Sequence, residues 1–264
     1  SFNSDGFTLG ADDGANYGSG AGVAWTWDAG TTTSSNGSGS ITSQVRANAS
    51  AGFSVLTWTG QTAAGTIGHG LGVAPSLIIT KLRSAAQSWG VYHKDTGINN
   101  YLLLDSTGAS TAYSGIWGSA APTSTVFGVP GNVGLNNLNG GTYVGYAFAP
   151  VAGYSSFGRY TGNGSADGPF VYTGFRPRWI MVKRSDAAND WWLYDTARGT
   201  YNEVQMALAP NLSNAELNPI TNNFIDVLSN GFKLRGPGLA TNGSGGTYIY
   251  IAFAESPLNY SRAR

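Results

Sequence analysis

The sequence predicts an all-β protein made of tandem β-sandwich, jelly-roll-like repeats joined by Gly-rich turns. Three observations carry this. Glycine is in large excess, at 39 of 264 residues. Between the glycines lie short alternating runs rich in Val, Ile, Thr, Tyr, Phe and Trp, the pattern of half-buried strands. Whole stretches of the chain also recur at a fixed interval.

Glycine supplies the positive φ that tight turns and bulges need, and GNG, DG, NGG and SGG stand between the apolar runs. No Gly-X-Y period is present, which excludes collagen. Strands are expected at Phe53–Gly60, Ser76–Leu82, Ser88–His93, Tyr101–Asp105, Thr125–Val129 and Thr142–Ala149. Their counterparts are Gly158–Gly162, Arg178–Arg184, Asp190–Asp195, Gln205–Leu208, Phe232–Arg235 and Thr247–Ala254. Trp179-Ile180-Met181-Val182 is apolar without a break, so that strand should be covered on both faces. Sustained helical periodicity is missing; Ser213–Leu217 and Thr221–Val227 have room for one short turn each.

The repeat is read from paired positions. Thr59-Gly60 matches Thr161-Gly162, and Gly72, Pro75, Lys81, Trp89, Tyr92 and Gly97 match Gly174, Pro177, Lys183, Trp191, Tyr194 and Gly199, all 102 residues apart. Further on, GGTYVGYAFAP (Gly140–Pro150) returns as GGTYIYIAFAES (Gly245–Ser256), each preceded by a Phe-centred strand, VFGV and GFKL. A third copy of this half opens the chain as DGFTLG (Asp5–Gly10) and GSGAGVAWTWDAG (Gly18–Gly30). The expected organisation is therefore four parts. Residues 1–30 are the second half of a preceding repeat, 31–52 a Ser/Thr/Gly-rich connector of low complexity, 53–150 a first full repeat, and 151–264 a second with its tail. A half-repeat at the start, with Ser-Phe-Asn and no initiator Met, suggests a piece of a longer array.

Composition narrows the partners. With 41% hydrophobic residues, including 8 Trp and 14 Tyr, a sizeable core can be buried. Charged residues are only 11%, and 14 basic side chains balance 14 acidic ones. That removes the clustered cations on which nucleic-acid binding rests, and the polybasic stretch of a membrane anchor. No run of 18 apolar residues exists to form a spanning helix, so no membrane insertion is expected. Cysteine is absent, excluding disulfides, thiolate-held zinc and a thiol nucleophile.

Three runs carry a resemblance: GHGLGVAPSLIITKLRSAAQSWGVYHK, YTGNGSADGPFVYTGFRPRWIMVKRSDAANDWWLYDTARG, and SNGFKLR with the following NGSGGTYIYIAFAE. They resemble a repeat domain of unknown function found in tail-fibre-like and other structural proteins of marine bacteriophages. The match spans essentially residues 1–256. It implies a location in a phage particle, assembled in the host cytoplasm, and brings no functional residues with it.

Candidate chemistry is sparse. His69, in GHGLG, aligns with Val171, and His93 aligns with Asp195; turn, surface or structural placement is expected for both. Gly-x-Ser-x-Gly occurs nowhere, so no nucleophile elbow is present. A glycosidase needs two facing carboxylates, yet no acidic position lies inside a strand of both repeats. Asp12-Asp13 with Asn16, and Asp186 with Asn189 and Asp190, are short of the oxygen ligands calcium requires and read as Asx turns. No enzyme activity, metal or cofactor is expected. Aromatics are more informative, because sugar rings pack their C–H faces on exposed rings. Trp58, Trp89, Trp179, Trp191, Tyr92, Tyr172 and Tyr194 fall in or beside strands. Those repeated at the 102-residue interval, with Trp179, read as core. The non-repeated Trp117 and Trp192 (opposite Gly90), with Asn189 and Asp190, are the candidate ligand-binding residues.

The resulting expectation is a non-enzymatic bacteriophage virion protein of the tail-fibre or appendage type that touches host surface glycans. Alternatives are an architectural capsid decoration or head fibre, and, weakest, a polysaccharide-degrading tailspike. Lys, the usual guard of sheet edges, occurs only at 81, 94, 183 and 233. Phe7, Leu9, Trp25 and Trp27 of the half-repeat need covering. A homo-oligomer is therefore expected, and the resemblance to phage fibres makes it a trimer, in contact with other virion proteins.

Overall fold

The computed structural model describes residues 2–3, 6–11, 16, 18 and 20–256. Those residues are all-β, with nineteen strands and no helix. A small hairpin joins β1 (Phe2–Asn3) to β2 (Gly6–Phe7). Next come β3 (Ser34–Asn36), β4 (Ser43–Asn48), β5 (Phe53–Thr59), β6 (Gly65–Gly68), β7 (Leu77–Leu82) and β8 (Gly90–His93). They are followed by β9 (Asn100–Leu103), β10 (Thr111–Ala112), β11 (Val126–Val129), β12 (Thr142–Phe148), β13 (Ser155–Thr161) and β14 (Phe170–Tyr172). The last are β15 (Pro177–Arg184), β16 (Trp191–Asp195), β17 (Ile225–Leu228), β18 (Gly231–Leu234) and β19 (Thr247–Ala254).

All pairings between strands are antiparallel. The first main sheet runs β10-β9-β8-β7-β12-β5-β4-β3 and is accompanied by a small sheet, β11-β6. A second main sheet runs β13-β19-β15-β16, with its own small sheet, β14-β18-β17. The central order β5-β12-β7-β8 of the first main sheet thus has the same form as the whole of the second.

Alternation along the strands stacks these sheets in four layers. In β7, Ile78 and Leu82 face the first small sheet, where they meet Ile67, Phe127 and Val129. Leu77 and Ile79 point the other way, towards the second main sheet. On β15, Ile180 and Val182 join Val171, Ile225, Val227 and Phe232 beneath the second small sheet, whereas Trp179 and Met181 enter the layer between the main sheets. The unbroken apolar run is explained: this strand is buried on both faces.

Equivalent hydrogen bonds brace both halves. The Tyr143 hydroxyl accepts from the Leu138 N–H (2.7 Å) and donates to the Gly134 carbonyl (2.8 Å). Tyr248 does the same between Gly243 N–H (2.7 Å) and the Leu239 carbonyl (2.7 Å). Tyr143 stacks on Trp58 at 5.2 Å, and Tyr248 on Tyr160 at 5.1 Å. Just before each tyrosine strand a fully buried Asn, Asn137 or Asn242, ties the turn together. Its Oδ1 accepts from Gln61 N–H (2.8 Å) or Asn163 N–H (2.9 Å), and its Nδ2 donates to nearby carbonyls.

Several expectations need correcting. Residues 31–52 are not a plain connector: β3 and β4 extend the first main sheet, with Val45 buried against Leu56 and Ile67. Short Ser and Thr side chains there serve the pleat, which composition alone does not distinguish from linker. Within residues 1–30 the described strands are only β1 and β2. Trp25 and Trp27 instead pack as irregular chain between the two main sheets, so this chain itself covers them in part. The expected strand at Gln205–Leu208 reduces to isolated bridges, Leu193 to Leu208 and Ala207 to Leu217. Thr221–Val227 holds the start of β17 rather than a helical turn, because Ile225 and Val227 alternate inward. Trp191 is fully buried, but Trp89 is only half-buried. It stacks on Tyr146 at 6.4 Å, with the Lys81 ammonium 5.8 Å from its ring.

Candidate functional site

The expected ligand residues do not form a surface. Trp117 is fully buried beneath the first small sheet, its indole N–H donating to the Asn100 carbonyl at 3.0 Å. Trp192 is buried in the matching core of the second half, stacked on Tyr194 at 6.4 Å. Neither ring can present a face to a sugar. Non-repetition marked a difference in core volume here: Trp192 fills space on β16 where the first half has Gly90, whose missing Cβ would meet Leu135 at 2.6 Å. Asn189 donates its N–H to Thr107 at 2.9 Å, and the Asp190 carboxylate accepts from Asn211 at 2.7 Å. Asn189 therefore serves the junction between the halves, and Asp190 braces a loop within the second half. The Asp186 carboxylate is turned to Arg184, 2.8 Å away. Asp12 and Asp13 lie outside the described residues.

Both histidines are buried, and each takes a backbone N–H on its Nδ1. His69 accepts the Leu71 N–H on Nδ1 (3.2 Å), which leaves Nε2 to donate to the Thr123 carbonyl (3.2 Å). Burial lowers its pKa, partly countered by that carbonyl. His93 faces the layer between the main sheets, and burial pulls its pKa down to about 4 against the nearby Asp95 carboxylate. Its Nδ1 accepts the Asp95 N–H at 3.2 Å. A ring held neutral in this way anchors backbone. His69 is a core group rather than a turn or surface one.

An exposed aromatic face does exist, on the outside of the second small sheet. β14 alternates Phe170, Val171 and Tyr172: Val171 goes into the core, while Phe170 is 43% and Tyr172 62% exposed. The two rings therefore project from one face of a single strand. Phe170 pairs across the ladder with Lys233, which in turn pairs with Asp226; Tyr172 pairs with Gly231. Gly231 is required there. A Cβ would meet the Val171 carbonyl at 2.1 Å and the Phe170 ring at 2.8 Å, so the ring lies diagonally across the glycine.

Charged and polar groups frame this strip. Lys233 Nζ lies 2.7 Å from Asp167 Oδ1, an ion pair that holds the exposed Asp167 carboxyl below its usual pKa. Arg235 reaches Asp226 at 3.2 Å and Glu203 at 3.6 Å. From the core side the Tyr250 hydroxyl donates to the Tyr172 carbonyl at 3.4 Å, fixing the strand that carries the rings. Two flat apolar surfaces beside donors and acceptors of both charges can hold a polyhydroxylated ring by stacking and lateral hydrogen bonds.

Residues 1–257 match the family described as Domain of unknown function (DUF7483). The chain belongs to that family. No curated protein matches the DUF7483 chain, and no solved structure does. Alternation does not announce its aromatic face, because β14 spans only the three residues Phe170–Tyr172. The signal was present nonetheless. At the 102-residue interval Phe170 and Tyr172 stand opposite Gly68 and Gly70, the same kind of non-repeated aromatic that drew attention to Trp117 and Trp192.

Proposed function

We propose that this chain is a non-enzymatic structural and adhesion module of a bacteriophage particle, of tail-fibre or appendage type, and that it contacts surface glycans through Phe170 and Tyr172. The observation that carries the glycan reading is the pair of exposed rings on β14, framed by Lys233, Asp167 and Asp226. Supporting the particle context are the low charge, the Gly- and Thr-rich surface and the resemblance noted in the sequence. The non-enzymatic reading is supported by the two histidines, each held neutral in the core.

The two halves are further read as copies of one unit. Matching strand order, the Tyr143 and Tyr248 hydroxyl bonds and the Asn137 and Asn242 turn clamps support this. An array of such units would repeat the scaffold and vary the ring-bearing strand, since the first half has glycines at those positions.

The test is a glycan array probed with the full chain and with a Phe170→Ala/Tyr172→Ala double variant, alongside a depolymerase assay on each bound polysaccharide. Binding that disappears in the double variant without chain cleavage is expected. Binding unchanged by it sinks the assignment of the rings, and release of oligosaccharides sinks the non-enzymatic reading.

A further inference from the structure

We propose that the wedge between the two main sheets is a binding site for a neutral, ring-bearing apolar small molecule, independent of the glycan face. A cavity of about 540 Å³ opens between the sheets, within the ~300–1,000 Å³ range usual for ligand pockets. Elsewhere this layer is tightly filled: Trp191 and Ile249 are at most 1% exposed. Around the wedge, by contrast, Val55, Ile79, Tyr146 and Trp89 are only half-buried, so the space communicates with the surface.

The walls define the ligand. No charged side chain lines the cavity, which leaves an ionised ligand without a counter-charge. Aromatic rings dominate it instead. Trp179 meets Trp25 edge-on at 6.5 Å and Trp27 at 5.7 Å, and Trp89 lies stacked on Tyr146 at the other rim. Rings of this kind gain from edge and offset contacts with another ring. The buried indole N–H of Trp179, a residue that lines the cavity, has no acceptor among the described residues, so a single carbonyl or ether oxygen on the ligand has a donor in the wall to meet. Water fills such a space poorly, since the apolar lining gives it few hydrogen-bond partners.

The same walls argue against a peptide. They are faces of sheets, whose own backbone groups are paired along the ladders. A second inserted segment would bring further N–H and C=O groups against faces with nothing to bond them, and the place such a segment would take is filled by the chain itself. Irregular chain already crosses the wedge at Trp25–Trp27, and the space it leaves is the size of a small molecule.

The full chain is titrated with N-phenyl-1-naphthylamine, a neutral aromatic fluorophore, and its emission followed. Saturable one-to-one binding is expected. Filling the wedge with Ile79→Trp should weaken it by about tenfold or more, while Tyr172→Ala on the glycan face leaves it at wild-type strength. Should Ile79→Trp fail to fold, Val55→Trp, across Tyr146 on the same wall, makes the same test. Overturning results are a non-saturable signal, binding that survives both filling variants, or a chain that sediments as a dimer and excludes the probe.

Discussion

Replacing Asn242 by Ala tests how the turn before β19 is held. The buried side chain accepts one hydrogen bond, from Asn163 N–H at 2.9 Å. From Nδ2 it reaches the Ser165 carbonyl at 2.8 Å, the Gly236 carbonyl at 3.0 Å and Asn163 Oδ1 at 3.2 Å. Nδ2 has two hydrogens, so three bonds are satisfied at once. At about 1 kcal/mol net per bond the loss is roughly 3 kcal/mol. It is reduced to about 2–3 because Asn163 and Ser165 are exposed and water can replace part of what is removed. For a chain of this size that corresponds to a Tm lower by about 4–12 °C. Differential scanning calorimetry reads this directly. Asn137→Ala should cost the same amount, since its Oδ1 accepts from Gln61 N–H and its Nδ2 donates to Ala63 and Pro130 in the same manner. An Asn242→Ala protein melting with the wild type would refute the clamp. A cost at Asn242 with none at Asn137 would refute the equivalence of the two turns.

Other outcomes follow from burial and charge. Trp191→Ala should cost about 3–5 kcal/mol in urea unfolding by opening a cavity in a fully buried site, whereas half-buried Trp89→Ala should cost clearly less; equal losses would contradict the asymmetry of the wedge. His93 has a folded pKa near 4, below its ordinary 6.5. The unfolded chain therefore takes up the proton first, and stability present above about pH 6.5 is lost as pH falls towards 4; His93→Gln should flatten that acid limb. Lys183 is fully buried, and burial lowers its pKa from 10.5 to about 8. Between pH 8 and about 10 the folded state has shed a proton that the unfolded state keeps, so the melting temperature should rise over that range. Lys183→Met should abolish the rise, and a persisting slope would assign it to another group. Tyr172→Ala should leave stability within about 0.5 kcal/mol of wild type, as expected of an exposed side chain.

How much of this was legible in the sequence depended on which physical signal each residue left. Alternation exposed the long strands, and the unbroken run at Trp179–Val182 announced a strand covered twice. The sequence was silent where strands are short or chemically plain. β4 reads as linker because Ser43, Gln44 and Asn48 carry no apolar stamp, and its place is fixed by pairing with β5. β14 spans three residues, too few for a period to show. Trp117 and Trp192 were misjudged because a large side chain facing a glycine in the other half can change the core as readily as the surface. Only burial separates these two cases, and burial is a property of the packed sheets.

The layer shared by the main sheets also bears on how the molecule can be cut. A boundary near Pro150 divides two sets of strands, but both sets have their second faces in one apolar layer. Trp191 donates its indole N–H to Leu103, and the Lys183 ammonium donates to Thr107, each across that junction. A fragment ending at Pro150 would leave Phe53, Leu77 and Phe148 bare to water, and one beginning at Val151 would do the same to Trp179, Met181 and Phe253. The two halves are therefore expected to melt in one transition and to resist protease at the join. Excised singly, each should need detergent or its missing mate to stay dissolved.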